Sequence, residues 1–224
     1  MSRRSRLFVV VASGAAVLVV LALLGLYLAV RHEPAFYRKA MEIEPAVLEK
    51  ASDRMLQNAA AIQSALNSPG RWKAVITAEE LNGWLAVDMI KNHPKLLPPA
   101  LRDPRVAIRP DEVLVGCRFE QGGITSVLSL TLQPCSPEPN VVALRIVRAR
   151  AGAIPVALKR VLDGISKAAR DNQIRLEWRQ AGNDPVALLS LPEDPEADRV
   201  VRIESLEVVD GEIRIVGVTE RKKQ

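Results

Sequence analysis

The longest apolar segment of the chain covers residues 7–30, which include no charged side chain. At about 1.5 Å per residue, a helix of this length reaches roughly 36 Å, whereas the hydrocarbon core of a bilayer is about 30 Å thick. Arg3, Arg4 and Arg6 precede the segment. The pattern predicts a transmembrane anchor over residues 7–30 behind a short tail of residues 1–6.

A cleaved signal peptide is the alternative, because signal peptides also begin with basic residues. Their apolar regions cover about 7–15 residues and end before small residues. Here the apolar segment is longer, and Leu28 and Val30 stand where small residues are expected. We expect a single-pass anchor that is not cleaved. Because Lys and Arg favour the cytoplasmic side, the N-terminus is predicted to be cytoplasmic and the C-terminal domain extracytoplasmic, periplasmic or extracellular.

The segment that follows the anchor has a helical pattern over residues 34–67. Leu48, Met55 and Ile62 recur at seven-residue spacing and form a narrow apolar stripe. Two interpretations stay open. The helix packs on its own domain, or residues 31–70 form a helical stalk that pairs two copies in a homodimer.

A second helix begins at a recognisable capping box. In the order Thr77-Ala78-Glu79-Glu80, the Thr77 hydroxyl caps the Glu80 amide and the Glu80 carboxylate returns to the Thr77 amide. An apolar face then follows at helical spacing, consisting of Leu81, Trp84, Leu85 and Met89. Glu79 and Glu80 resemble a pair of catalytic carboxylates, but acidic residues also favour the positive end of a helix dipole. Capping explains them without any chemistry.

From Leu101 the apolar period changes from helical spacing to two. The residues on either side of Gly122-Gly123 alternate and predict a hairpin with one strongly apolar face. A third strand is predicted over 141–150, and a helix that begins near Pro155 carries the stripe Leu158, Val161, Leu162 and Ile165. The later strands are predicted at 174–178, 186–191 and 199–208, and a final hairpin turns at Asp210-Gly211.

Several strands followed by a helix and more strands indicate an α+β fold with a mainly antiparallel sheet. We expect one extracytoplasmic domain over residues 71–219, with a curved sheet packed on one or two helices. Residues 220–224 form a short polar tail, and residues 192–198 read as a polar loop.

The order of these elements resembles the YpmS family of bacterial membrane-anchored proteins, whose function is unassigned. The resemblance rests on an N-terminal anchor, on T-x-E-E-L-N at residues 77–82, and on the entry Ile154-Pro155-Val156 into a helix. It covers roughly residues 71–219. It implies a curved sheet wrapped around a long helix, similar to tubular lipid-binding domains, and it brings no catalytic residues.

The charge of the chain is mostly a property of the tail. The net charge is +5, with 31 Lys and Arg against 26 Asp and Glu. Without the three arginines of the tail, 28 basic residues remain against 26 acidic ones. Aromatic residues make up 4% of the chain, which is few for stacking nucleic-acid bases. Nucleic acid is therefore not an expected partner.

Candidate chemistry is sparse. His32 lies at the membrane exit and His93 at a helix end, where neither needs a special role. A hairpin that turns at 121–123 places Cys117 opposite Val127 and Cys135 opposite Arg109, so no direct disulfide is expected. The sequence shows no catalytic motif, and we expect no enzyme activity, no metal and no cofactor.

The apolar strand faces lead to the functional hypothesis. We expect a concave sheet face that holds acyl chains, with a predicted lining of Leu128, Leu130, Leu132, Leu144, Ile146, Leu158 and Leu162. Basic residues near the junction of sheet and helix are predicted to meet lipid phosphates, namely Arg145, Arg148, Lys159 and Arg160. The hypothesis is a membrane-tethered binding module for lipid or another apolar ligand. The alternative is an envelope interaction protein that docks a partner through its stalk helix or sheet edge.

Overall fold

The computed structural model describes residues 20–138, 140–171, 176–182, 184–190 and 199–221. The helices of this part are α1 (residues 20–31), α2 (Ala35–Met41), α3 (Pro45–Asn67), α4 (Ala78–Ala86), α5 (Asp88–Asn92), a short 3₁₀ helix (Pro94–Leu96) and α6 (Leu158–Asp171). The strands are β1 (Gly70–Thr77), β2 (Leu101–Arg109), β3 (Glu112–Gln121), β4 (Ile124–Glu138), β5 (Val141–Ala151), β6 (Ile154–Pro155), β7 (Leu176–Ala181), β8 (Asp184–Ser190), β9 (Arg199–Val209) and β10 (Glu212–Arg221).

The strands form two antiparallel sheets. A small sheet has the order β1-β10-β9, and a large curved sheet has the order β2-β3-β4-β5-β8-β7, with β6 paired to the end of β5. This arrangement confirms the predicted α+β fold with an antiparallel sheet. It also shows that the two ends of the domain meet, because β1 pairs along its whole length with β10.

One face of the large sheet packs against the small sheet and α4. Ile108 and Val113 of the large sheet and Val208 of β9 form a buried cluster, against which Leu81 of α4 and Leu132 of β4 pack. Further along, the same face carries Trp178, whose indole nitrogen donates to the Ser166 hydroxyl of α6 at 2.7 Å. We call this side of the large sheet the α6 face and the opposite side the outer face.

The predicted helix over residues 34–67 is divided into α2 and α3. Pro45 is the first residue of α3, where its missing N–H costs no hydrogen bond. The division lets α2 turn onto the outer face of the large sheet, where Tyr37 is fully buried. The helix prediction is thus right in type, but it missed this break.

α3 packs closely against α4. Gly83 makes the approach possible, because a Cβ added there would lie 2.7 Å from the Cβ of Ala51 and would also meet the Ser52 backbone. Leu48, Ala51 and Ser52 are buried in this contact region. Met55 and Ile62 of the seven-residue stripe are half-buried.

The capping box of α4 is confirmed. The Glu80 amide donates to the Thr77 hydroxyl at 3.1 Å, and the Thr77 amide donates to the Glu80 carboxylate at 2.9 Å. The helix ends at Ala86, and Met89 lies in α5. The apolar face predicted as one helix therefore extends over two.

The β3–β4 hairpin is present, but its register is shifted by one residue from the predicted one. Gln121 lies opposite Ile124, so Cys117 lies opposite Leu128 instead of Val127. The cause is a tight turn in which Gly122 and Gly123 both have positive φ, 61° and 77°, as a two-residue type I′ turn requires. Cys135 lies opposite Ala143, and both cysteines are free thiols.

Other predicted boundaries move by a few residues. α6 begins at Leu158 and not near Pro155, because Ile154 and Pro155 pair with β5 as β6. The last hairpin turns at Asp210-Gly211 as predicted, between β9 and β10. β1 was not predicted. The predicted polar loop of residues 192–198 lies outside the described residues, as do the start of the strand predicted at 174–178 and most of the predicted tail.

The predicted anchor falls mainly outside the description, since residues 7–19 and the tail of residues 1–6 are not part of it. Within the described part of the chain, no helix combines the length and the apolar character needed to cross a membrane.

Candidate functional site

A cavity of about 480 Å³ lies between α6 and the α6 face of the large sheet. Its wall on the sheet side consists of alternate residues of neighbouring strands, and its roof comes from the apolar side of α6. The lining side chains that define its character are Val115, Cys117, Phe119, Leu128, Leu130, Ala149, Val161 and Ile165.

The sheet wall follows from the register of the β3–β4 hairpin. Val115 lies opposite Leu130, and Cys117 lies opposite Leu128. Since side chains alternate between the faces of a strand, these four point to the same side. Ala149 of β5 lies opposite Leu130, and its small side chain leaves room beside the two strands.

The roof depends on two attachments of α6. At its start, Ile154 pairs with Ala151, which links the helix to the end of β5. Further along, the hydrogen bond between Trp178 and Ser166 ties the helix to β7. Among the described side chains of α6, Ala169 is buried, whereas Val161, Leu162 and Ile165 are only half-buried. The apolar face of α6 is therefore incompletely covered by the protein.

The polar groups at the cavity are few. Ser129 and Arg150, which lie opposite each other on β4 and β5, also border it, but the alternation along the strands turns their side chains to the outer face. Burial raises the pKa of Cys117 to about 11, and the nearby Asp103 carboxylate adds to the rise. The thiol is consequently protonated at neutral pH and is a poor nucleophile.

The predicted apolar lining is only partly gathered at this cavity. Leu128 and Leu130 line it. Leu132 and Ile146 lie opposite each other further along β4 and β5, and Leu132 packs on the buried cluster of Ile108, Val113 and Val208. Leu144 lies opposite Pro134 and Ala187, and Leu158 and Leu162 are half-buried on α6 beside the residues that form the roof.

The predicted basic residues fall on two elements, β5 and α6, and do not gather at the cavity. Arg145 lies opposite Val186 and Arg148 opposite Thr131, which are positions on the outer face, away from α6. Lys159 is exposed on α6. Arg160 belongs to α6, but its side chain lies outside the described set.

Arg145 also lines a second depression, of about 340 Å³, on the outer face between β5 and the β7–β8 pair. Cys135, Glu177 and Arg179 lie at the same depression. Its lining mixes charged and apolar side chains. It therefore differs in character from the apolar cavity under α6.

Several residues that line the cavity are not in the predicted lining, although each belongs to an apolar pattern that the sequence shows. Val115, Cys117 and Phe119 belong to the alternating apolar face of β3, and Val161 and Ile165 belong to the apolar stripe of α6. Which members of each stripe meet at one cavity depends on where α6 crosses the sheet. That crossing depends on contacts between residues apart in sequence, one of which is the hydrogen bond from Trp178 to Ser166.

A polar network lies on the outer face, beneath α2. The Tyr37 hydroxyl donates to the Asp103 carbonyl oxygen at 2.8 Å, and the Asp103 carboxylate pairs with Arg118 at 3.3 Å. Burial raises the pKa of Tyr37 to about 12, and the Asp103 carboxylate adds to the rise. Arg105 is buried beside them and donates to the Pro104 carbonyl oxygen at 2.8 Å. The packing of α2 on the outer face accounts for these contacts, so they do not by themselves indicate a functional site.

Among the described residues, no group of three His, Cys, Asp or Glu side chains is placed to hold a metal ion.

Comparison of the chain with models of known protein families, with curated proteins and with solved structures gives no match.

Proposed function

We propose that this protein is a membrane-tethered, extracytoplasmic binding module that holds a lipid or another apolar ligand under α6, without catalysis. The observation that carries the proposal is the apolar cavity of about 480 Å³. Ligand pockets typically measure about 300–1,000 Å³ and are lined mainly by apolar side chains. The lining here matches an acyl chain better than a polar substrate.

The energetics agree with such a ligand. Burying a methylene group is worth about 0.8 kcal/mol, so an acyl chain that buries about eight methylenes gains roughly 6 kcal/mol before the cost of ordering it. The half-buried roof residues Val161 and Ile165 would gain cover at the same time. The protonated Cys117 thiol adds no charge that an apolar chain would have to displace.

The proposed tether rests on the sequence and on α1. Residues 7–30 carry no charge, and seven large apolar side chains of residues 20–28 are each at least half exposed. An apolar surface of this kind is unfavourable in water and favourable in a bilayer. The arginines of the tail favour a cytoplasmic N-terminus, with the domain on the other side of the membrane. The YpmS-like assignment belongs to the same proposal and rests on the residues quoted for it above.

Native mass spectrometry of the full-length chain, extracted from cells in mild detergent, tests the proposal. We expect one bound lipid per chain. Ala149→Phe and Val161→Phe fill the cavity from its two walls, and each should lower lipid retention severalfold. Ala60→Phe, at an exposed position of α3, is the matched control and should retain lipid.

Retention of lipid that is unchanged by both filling variants would contradict the proposal, as would a folded wild-type chain that carries none. A circular dichroism melt of each variant shows whether it is folded. Because the two variants act from opposite walls, the test does not depend on either one alone.

A further inference from the structure

We propose that the junction between α1 and the β3–β4 hairpin binds an anionic phospholipid, with the phosphate at Arg31 and Arg118 and an acyl chain beside Ile124. This inference rests on the proposed membrane tether. It does not depend on the ligand under α6, because it concerns a different surface.

The end of α1 is fixed to the domain by hydrogen bonds. The Ser126 hydroxyl donates to the Val30 carbonyl oxygen at 2.7 Å, and the Ala153 amide donates to the Ala29 carbonyl oxygen at 2.8 Å. The last carbonyl groups of a helix lack partners within the helix. The domain satisfies two of them, so the β3–β4 turn has a defined place beside α1.

An apolar depression of about 260 Å³ lies between α1 and this turn. Leu23, Leu26 and Tyr27 line it from α1, and Ile124 lines it from the first position of β4. The Ile124 side chain is 56% exposed and adjoins exposed apolar side chains of α1, so that together they form one apolar patch. A neighbouring acyl chain would cover it together with the exposed side of α1.

A polar depression of about 320 Å³ adjoins the apolar one, and both are lined by Arg31 and Thr125. Arg118 and Ser126 line the polar depression as well. One guanidinium nitrogen of Arg118 pairs with the Asp103 carboxylate. Because a guanidinium has five N–H donors, others can still bind a phosphate. Arginine pairs with phosphate through two parallel hydrogen bonds, so two arginines provide strong recognition of a phosphate group.

The remaining charge at this rim is Glu33, which is exposed. The Arg31 guanidinium lies 4.7 Å from the centre of the Tyr27 ring. This cation–π contact holds the positive charge at the end of the apolar helix. An apolar depression that continues into a cationic one fits an amphiphile with a negative head. Free inorganic phosphate shares the head chemistry but would leave Ile124 and Leu26 uncovered.

Fluorescence quenching in vesicles tests this inference on the full-length chain. Ile124→Trp places an indole at the turn, and the unsubstituted chain provides the background from Trp72, Trp84 and Trp178. We expect brominated phosphatidylglycerol to quench the new indole more strongly than brominated phosphatidylcholine at equal mole fraction. Adding Arg118→Gln should lower this preference by about fivefold, since one arginine near an anionic surface is worth about that factor.

Two further variants sharpen the test. Glu33→Gln should strengthen the preference, because it removes the negative charge from the rim. Arg71→Gln, at an exposed arginine of β1 that is paired with Glu204, is the matched control and should leave the preference unchanged.

The inference is overturned if the new indole is quenched equally by both lipids, or by neither. Quenching by neither lipid is also the result expected if the site holds free inorganic phosphate, because that ion brings no acyl chain to residue 124. Retention of lipid under α6 is measured separately by mass spectrometry. If the cavity under α6 is empty but residue 124 shows a clear lipid preference, only the first proposal fails. If the cavity holds lipid but residue 124 shows no preference, only the present inference fails.

Discussion

The side-chain amide of Asn82 pairs with both backbone polar groups of Val106. It donates to the Val106 carbonyl oxygen at 2.9 Å and accepts from the Val106 amide at 2.9 Å. Val106 lies on β2, the edge strand of the large sheet, so Asn82 occupies the place that a neighbouring strand would take. Through this contact α4 covers an edge that would otherwise be open to another strand.

Asn82→Ala should destabilise the domain by about 2–4 kcal/mol, because it leaves a buried N–H and a buried C=O without partners. Urea unfolding of the full-length chain in detergent, followed by circular dichroism, measures the loss. Asn92→Ala is the matched control, since Asn92 is exposed and makes one hydrogen bond to Asp88. Its cost should be about 0.5 kcal/mol or less. Equal costs for the two variants would show that the Asn82 contact is not important for stability.

Gly83→Ala should separate α3 from α4. The added methyl group would lie 2.7 Å from Ala51 Cβ, and the nearest atoms include backbone that cannot turn away. Overpacking of this kind costs about 1–3 kcal/mol. Gly164→Ala on α6 is the control, because its Cβ meets nothing within 4 Å, and it should stabilise α6 by up to about 1 kcal/mol. A melting temperature that rises in both variants would contradict the close crossing of α3 and α4.

Gly152→Ala should loosen the joint between α1 and the domain. Gly152 has φ +60°, and its added Cβ would meet the Ala29 and Val30 carbonyl groups. We expect trypsin to cut after Arg31 severalfold faster in this variant. Gly182→Ala is matched in backbone strain, with φ +65°, but its Cβ meets nothing within 4 Å. Trypsin cleavage at the wild-type rate in Gly152→Ala would show that the joint does not protect this bond.

The buried Tyr37 makes stability depend on alkaline pH. Burial raises its pKa from 10.0 to about 12 in the folded chain, and the Asp103 carboxylate adds to the rise. The folded state therefore holds the proton more tightly than the unfolded state. This stabilisation is fully present below about pH 10 and is lost as the pH rises to about 12.

In the wild type, the free energy of unfolding should fall by an amount on the order of 2 kcal/mol over this pH range. In Tyr37→Phe this fall should be absent. At neutral pH the same variant should cost about 1 kcal/mol, because the hydrogen bond to the Asp103 carbonyl oxygen is lost. Urea unfolding at pH values on either side of the range measures both effects. A variant that loses stability with pH as steeply as the wild type would contradict the role of Tyr37.

Local patterns predicted much of this fold. The capping box at Thr77 and Glu80, the apolar alternation of β3 and β4, and the turn at Asp210-Gly211 depend on near neighbours in sequence, and all three are present. The register of the β3–β4 hairpin differs by one residue from the predicted register, because it depends on which glycines adopt positive φ.

Long-range pairing explains what the patterns missed. β1 is a strand because it pairs with β10, which comes from the other end of the domain. The residues at 70–77 alone do not indicate this partner. The same holds for the cavity. Apolar stripes on β4 and α6 were visible in the sequence, but Leu128 and Leu130 line the cavity while Leu132 joins the buried cluster. The position of α6 on the sheet decides between these outcomes.

Photo-crosslinking locates a bound ligand on the chain, and it therefore shows whether an acyl chain lies under α6. Vesicles that contain the full-length protein and a phospholipid with a diazirine in its acyl chain are irradiated, and the modified peptides are identified by mass spectrometry. We predict adducts on residues 115–119, 128–130 and 161–165, which Ala149→Phe should reduce severalfold. Adducts confined to α1 and the outer face, with none on the walls of the cavity under α6, would contradict the account.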